Sequence, residues 1–153
     1  VLAAAALIVP LGSLGGSALA SATTTSATTC TGAPNDPGTL AGGTYSTVSV
    51  TGVCAVDGGQ VTVTGDVTVA AGATLVAAFA NNSAGPGTSG ITVDGNIDVG
   101  SGATLLLGCE AAHFACVDDP NQNAPTLNSP DTVKGSIVAT DPLGVVVHLT
   151  TIG

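Results

Sequence analysis

The chain has 153 residues, no Arg, a single Lys (Lys134) and ten acidic residues, for a formal charge of −9. A surface so poor in cations cannot neutralise phosphates, which excludes nucleic-acid binding and argues against anionic membrane surfaces. Only 7% of residues are charged, so solubility must rest on Thr, Ser, Asn and Gly, and the length bounds one domain plus appendages.

The first eleven residues, Val1 to Leu11, read as the apolar region of a secretory signal peptide. Ala18-Leu-Ala20 or Ala20-Ser-Ala22 matches the small-x-small cleavage pattern that follows such a region. Pro10 and Gly12 break the run before it could span a bilayer. No Lys or Arg precedes it, so residues 1–22 are expected to be a signal-peptide remnant lacking its charged leader. The Thr- and Ala-rich stretch 23–29 is a flexible spacer. The domain proper is then 30–153, with an expected truncation at its C-terminal end.

Cys30, Cys54, Cys109 and Cys116 form an even set, which in an exported chain suggests disulfides. Four cysteines allow three pairings; the favoured one is Cys30–Cys54 with Cys109–Cys116, each local to its own segment. A zinc site is the competing use. It is poorly supported, because there is no C-x-x-C spacing and His113 and His148 lie far apart.

Residues 61–75 align without gaps over residues 91–105, an offset of thirty. A looser copy runs through 132–139 and 145–147, a partial one through 48–56, and a fourth begins at Thr150. Self-similarity of this kind marks a solenoid. Gly65, Gly95, Gly135 and Gly153 serve as anchors, and the shortest interval gives a bare coil of about 18 residues. The longer intervals then hold insertions near 79–90 and 108–131. Both follow the same strand (75–77 and 105–107), so both should leave the same edge.

Odd positions in the copies are apolar or Gly: Val61, Val63, Gly65, Val67, Val69, then Ile91, Val93, Gly95, Ile97, Val99. Such alternation puts one set inside and the other in water, and the β-branched content disfavours helix. The expected fold is all-β, a single-stranded parallel β-helix (β-solenoid) of about four coils, whose handedness these residues do not set. Val63, Val93 and Val133 should form one internal stack, and Val67, Ile97 and Ile137 another. A β-sandwich is the alternative; in-register repetition of apolar and turn positions favours the solenoid.

Thr62, Thr92, Thr132 and Thr150 should form an outward rank, beside a second rank of Thr64, Asp94, Lys134 and Ile152. Matched ranks would suit a crystalline surface; this second rank is irregular, so a solvated face is the reading. Asp94 and Lys134 should be neighbours on adjacent coils, at a worth of about 0–1 kcal/mol.

The 108–131 insertion is the most chemically rich segment. Asp119, Asn121 and Asn123, with Asp118 adjacent, reproduce the opening of a calcium loop with oxygen ligands at alternate positions. The sixth and twelfth places hold Ala124 and Pro130, where Gly and a bidentate Glu belong, so an exposed turn is favoured and no cofactor is assigned. Glu110 and His113 lie close in sequence, without an evident nucleophile or second carboxylate, so no catalytic residue is assigned. Tyr45, Phe79 and Phe114 are the whole aromatic supply, too few for a stacking platform. Tyr45 is expected at a cap and Phe79 as a plug at the base of a loop. Asn81-Asn82-Ser83 has the spacing of a glycosylation site, read here as a loop coincidence.

The chain resembles uncharacterised secreted β-helix proteins of high-GC bacteria through Cys30-Thr-Gly32, Gly42-Gly-Thr-Tyr45, Gly95-Asn-Ile97, the Cys109 and Cys116 loop ending Val117-Asp-Asp-Pro120, and residues 146–153. The Val/Ile-Gly pattern alone is also similar to that of bactofilin-type polymer-forming solenoids. The resemblance implies export and a solenoid fold and adds no activity. The functional expectation is a secreted or cell-surface structural or adhesive protein without catalysis, partnered by cell wall or by its own kind. A cation- or polysaccharide-binding module acting through 108–131 is the alternative, and a polysaccharide-lyase-like enzyme a more distant one.

Overall fold

The structure is a computed structural model that describes residues 25–78, 80–109 and 131–153. Among these residues it is all-β, without helix, and its parallel strands form a nearly closed, barrel-like sheet. The signal-peptide assignment, 1–22, lies outside the described residues, as do the first two residues of the expected spacer; residues 26–29 are no flexible spacer but part of a strand, Ser26–Cys30, that pairs in parallel with residues 45–50, so the sheet begins before residue 30.

The strands run in chain order β1 (Ser26–Cys30), β2 (Gly38–Val50), β3 (Val53–Val63), β4 (Val67–Val69), β5 (Thr74–Ala77), β6 (Ala80–Asn81), β7 (Thr88–Val93), β8 (Ile97–Val99), β9 (Thr104–Leu107), β10 (Thr132–Val133), β11 (Ile137–Ala139), β12 (Gly144–Val147) and β13 (Thr151–Ile152). Pairing sorts them into three parallel ladders. The first stacks Tyr45, Val63, Val93, Val133 and Ile152. The second stacks Val48, Val67, Ile97 and Ile137 above β1. The third stacks Cys54, Leu75, Leu105 and Val145. The chain visits first, second and third ladder in turn, then returns to the first.

The expected apolar stacks are present. Val63, Val93 and Val133 pair in register and are wholly buried. Val67 and Ile97 are likewise buried, while Ile137, the last of that stack, is half-buried. Alternation places Thr62, Thr68, Thr92 and Asp98 on the other face of the same strands. Exposure of large apolar side chains is concentrated in the last strands and corners: Val138, Leu143, Val145, Leu149 and Ile152.

One register expectation fails. Thr151, not Thr150, pairs with Thr132, and Ile152 pairs with Val133, an offset of 19 residues (132 to 151) where about 18 was inferred. Gly153 therefore lies against Lys134 instead of Gly135, and its N–H donates to Val133 O at 2.9 Å. The reason is parity: a one-residue slip turns every side chain to the other face, and Ile152 belongs with the inward valines. The extra residue is absorbed in the corner where Leu149 takes a left-handed φ of 49°.

Gly65, Gly95 and Gly135 do stack, at the corner between first and second ladders. A Cβ on Gly95 would stand 2.7 Å from the backbone of Gly65, and one on Gly135 would stand 2.5 Å from Gly95 O. These glycines serve close chain-on-chain approach. Beside them Asp66 Oδ1 accepts the Asn96 N–H (2.7 Å) and Asn96 Oδ1 accepts the Ser136 N–H (2.9 Å), linking one layer to the next.

Candidate functional site

The two insertions leave from neighbouring strands. β5 and β9 pair through Ala77 and Leu107, so both insertions start at one edge, as the repeat implied. The first folds back as β6, antiparallel to the start of β7. Asn82 shapes its turn, accepting the Ala84 N–H (2.9 Å) and donating to Pro86 O (3.2 Å). The Gln60 amide donates to Thr88 O at 2.9 Å, and Ser89 Oγ, wholly buried, accepts the Gly59 N–H at 2.9 Å. A neutral hydroxyl thus secures the point where the first insertion rejoins the sheet.

The second insertion rejoins through a charge-bearing group. Asp131 pairs in line with Ile91 and Val61, positions that face the core, and it too is wholly buried. Its Oδ1 accepts the Ile91 N–H (2.8 Å) and its Oδ2 the Gly108 N–H (3.0 Å). One carboxyl therefore joins the strand below it to the residue where the insertion departs. Burial pushes the Asp131 carboxyl up to about 7, against the opposing pull of the two N–H donors.

Cys30 and Cys54 are disulfide-bonded, with Cα atoms 6.0 Å apart. Cys109 is buried and also disulfide-bonded; its expected partner Cys116 lies outside the described residues. So do the calcium candidates Asp118, Asp119, Asn121 and Asn123, together with Glu110, His113, Phe79 and Phe114. Among the described residues no cluster of three or more His, Cys, Asp or Glu is placed to hold a metal ion. No helix of these residues is long and apolar enough to cross a membrane. Tyr45 packs against the core and its hydroxyl donates to Ala41 O at 2.8 Å.

The outward threonine rank is longer than expected. Thr44, Thr62, Thr92, Thr132 and Thr151 follow one another in register. Lys134 Nζ and Asp94 Oδ1 are 2.7 Å apart, as the repeat predicted, and both side chains remain substantially exposed. A shallow groove of about 300 Å³ runs along the second ladder between Thr68, Asp98, Val138 and the Ala70–Gly100–Thr140 corner. It presents one carboxylate, Asp98, to solvent.

Sequence reasoning missed Asp131 and Ser89. The signal for Asp131 was available: an offset of forty, the spacing of Gly95 and Gly135, lays it over inward-facing Ile91. Treating it as the last residue of a loop hid that.

No family model matches the chain, and no curated protein or solved structure is significantly similar to it. The fold and site define an all-β protein of parallel ladders with two insertions on one edge.

Proposed function

We propose that the chain is a β-solenoid of about four coils, exported behind a signal peptide at 1–22, that acts as a structural or adhesive element of the cell surface without catalysis. The observation that carries this reading is the in-register aliphatic filling. Val63, Val93 and Val133 lie above one another, as do Leu75 and Leu105, so the interior is taken by packing. Variation is confined to insertions at one edge, the pattern of a stiff scaffold that presents loops. The Cys30–Cys54 bridge agrees with an oxidising compartment. Scarcity of cations leaves cell wall or a second copy as better partners than nucleic acid.

Fractionation of cells that produce the protein tests the location. The mature chain is expected in the medium or envelope, with an N-terminus near residues 21–23 by mass spectrometry. A reduced cytoplasmic pool retaining residues 1–22 would overturn the proposal. The cation-binding reading is tested separately: millimolar calcium is expected to leave the melting temperature unchanged. A reproducible rise, lost on replacing Asp119 and Asn121 with Ala, would establish a calcium loop instead.

A further inference from the structure

The corner between the second and third ladders is turned by a left-handed residue in each of three successive layers. In two of them it is a glycine, Gly72 (φ 71°) and Gly102 (φ 67°). In the third it is Asp141 (φ 45°), and the residue that follows is a proline. We infer that the Asp141–Pro142 peptide bond is a self-cleavage site, hydrolysed through the side chain of Asp141 itself.

Strain, a poised donor and a tethered nucleophile meet at this bond. A residue with a Cβ is crowded against its own backbone at positive φ, a cost that glycine escapes. Pro142 adds to it, because its Cδ restricts the residue before it, and breaking the bond relieves both. The Gly102 N–H donates to Asp141 O at 2.8 Å, so a donor already points at the oxygen on which negative charge would develop. The Asp141 side chain is exposed, and attacking carboxylate and attacked carbonyl belong to one residue, so no encounter has to be arranged. In the reaction, a carboxylate oxygen of Asp141 bonds to the main-chain carbonyl carbon of the same residue and closes a cyclic anhydride. The C–N bond to Pro142 breaks, and its electron pair stays on the Pro142 nitrogen, which takes a proton from solvent and leaves as a secondary amine. Water then opens the anhydride, so Asp141 ends with two carboxyl groups and one water is consumed overall.

Asp36–Pro37 provides an internal control. It is the same dipeptide, both its residues are exposed, and Asp36 O likewise accepts an N–H, from Ala33 at 3.0 Å. Its backbone is not strained: among the described non-glycine residues, only Asp141 and Leu149 have a positive φ. Strain is therefore what separates the two bonds. The remaining Asp–Pro pair, 119–120, lies outside the described residues. After the cut, β12 would stay paired with β9 and β13 with β10, so the nick shows only when the chain is denatured. The inference depends on this corner and not on the adhesive reading, so either can fail alone.

Mass spectrometry of the purified chain, denatured after several days at about pH 5 and 37 °C, tests it. Fragments ending at Asp141 and beginning at Pro142 are expected, their masses together exceeding the intact mass by one water. That cut should outpace the one at Asp36–Pro37 by about tenfold or more. Asp141→Ala, which removes the carboxylate, should leave the bond whole. Equal rates at the two bonds, cleavage at neither, or a cut that persists in the variant overturns the inference. Should the variant fail to fold, the wild-type chain incubated in urea that unfolds it decides the matter. Rates that become equal there support a cut driven by the folded corner, and an unchanged ratio defeats it.

Discussion

Gly95→Ala is expected to destabilise the protein by about 3 kcal/mol, a large effect for one methyl group. The new Cβ would meet the Asp66 carboxylate and stand 2.7 Å from the Gly65 carbonyl. The Gly65 backbone cannot yield, because a Cβ on Gly65 would itself lie 2.6 Å from Ser46 O; the corner is close-packed from one layer to the next. Moving Asp66 aside would break the 2.7 Å bond that it accepts from the Asn96 N–H. Gly144→Ala is the matched control: its Cβ would meet nothing within 4 Å, and the change should stay within about 0.5 kcal/mol. Urea unfolding checks both, read as a shift in midpoint at constant slope. Equal midpoints for the two variants would show that the glycine corner is not close-packed.

Removing the Cys30–Cys54 bridge is expected to lower stability by about 3 kcal/mol, and the melting temperature by about 10 °C. The bridge spans a sequence separation of 24, so its loss frees a sizeable loop in the unfolded chain. It also joins β1, which has a single strand partner among the described residues, to β3, which the third ladder holds on both sides. Cys30→Ala with Cys54→Ala is the test, since both sites are buried and Ala introduces no polar group. The Ile91 and Gly108 amides, at the far insertion, should keep their protection while β1 loses its own. A fall below about 1 kcal/mol would mean that β1 is held by strand pairing alone.

The two sets of expectations differ in what kind of information they need. The inward stacks were legible because alternation is local and the thirty-residue offset repeats it: Val63 and Val93 declare their face from their own neighbours. The glycine anchors were legible as spacing, but not as close contacts, because a sequence does not show how near Gly65 lies to Gly95. The last strand was misplaced by one residue for a related reason. Anchoring on Gly153 ignored the corner at Leu149, and whether a corner holds one residue more or fewer is decided by the layer beneath it.

By itself, then, the sequence determined strand type, the identity of the inward side chains and the common edge from which both insertions leave. Those properties follow from period, parity and repeat, which neighbouring residues carry. Tertiary structure alone decided the register of Thr151–Ile152, the Asp66–Asn96–Ser136 links, the pairing of Cys30 with Cys54 and the two N–H groups that Asp131 accepts from. Each depends on a partner about 20 to 40 residues away, and a polar side chain reveals that it is buried only once the backbone that receives it has been stacked against it.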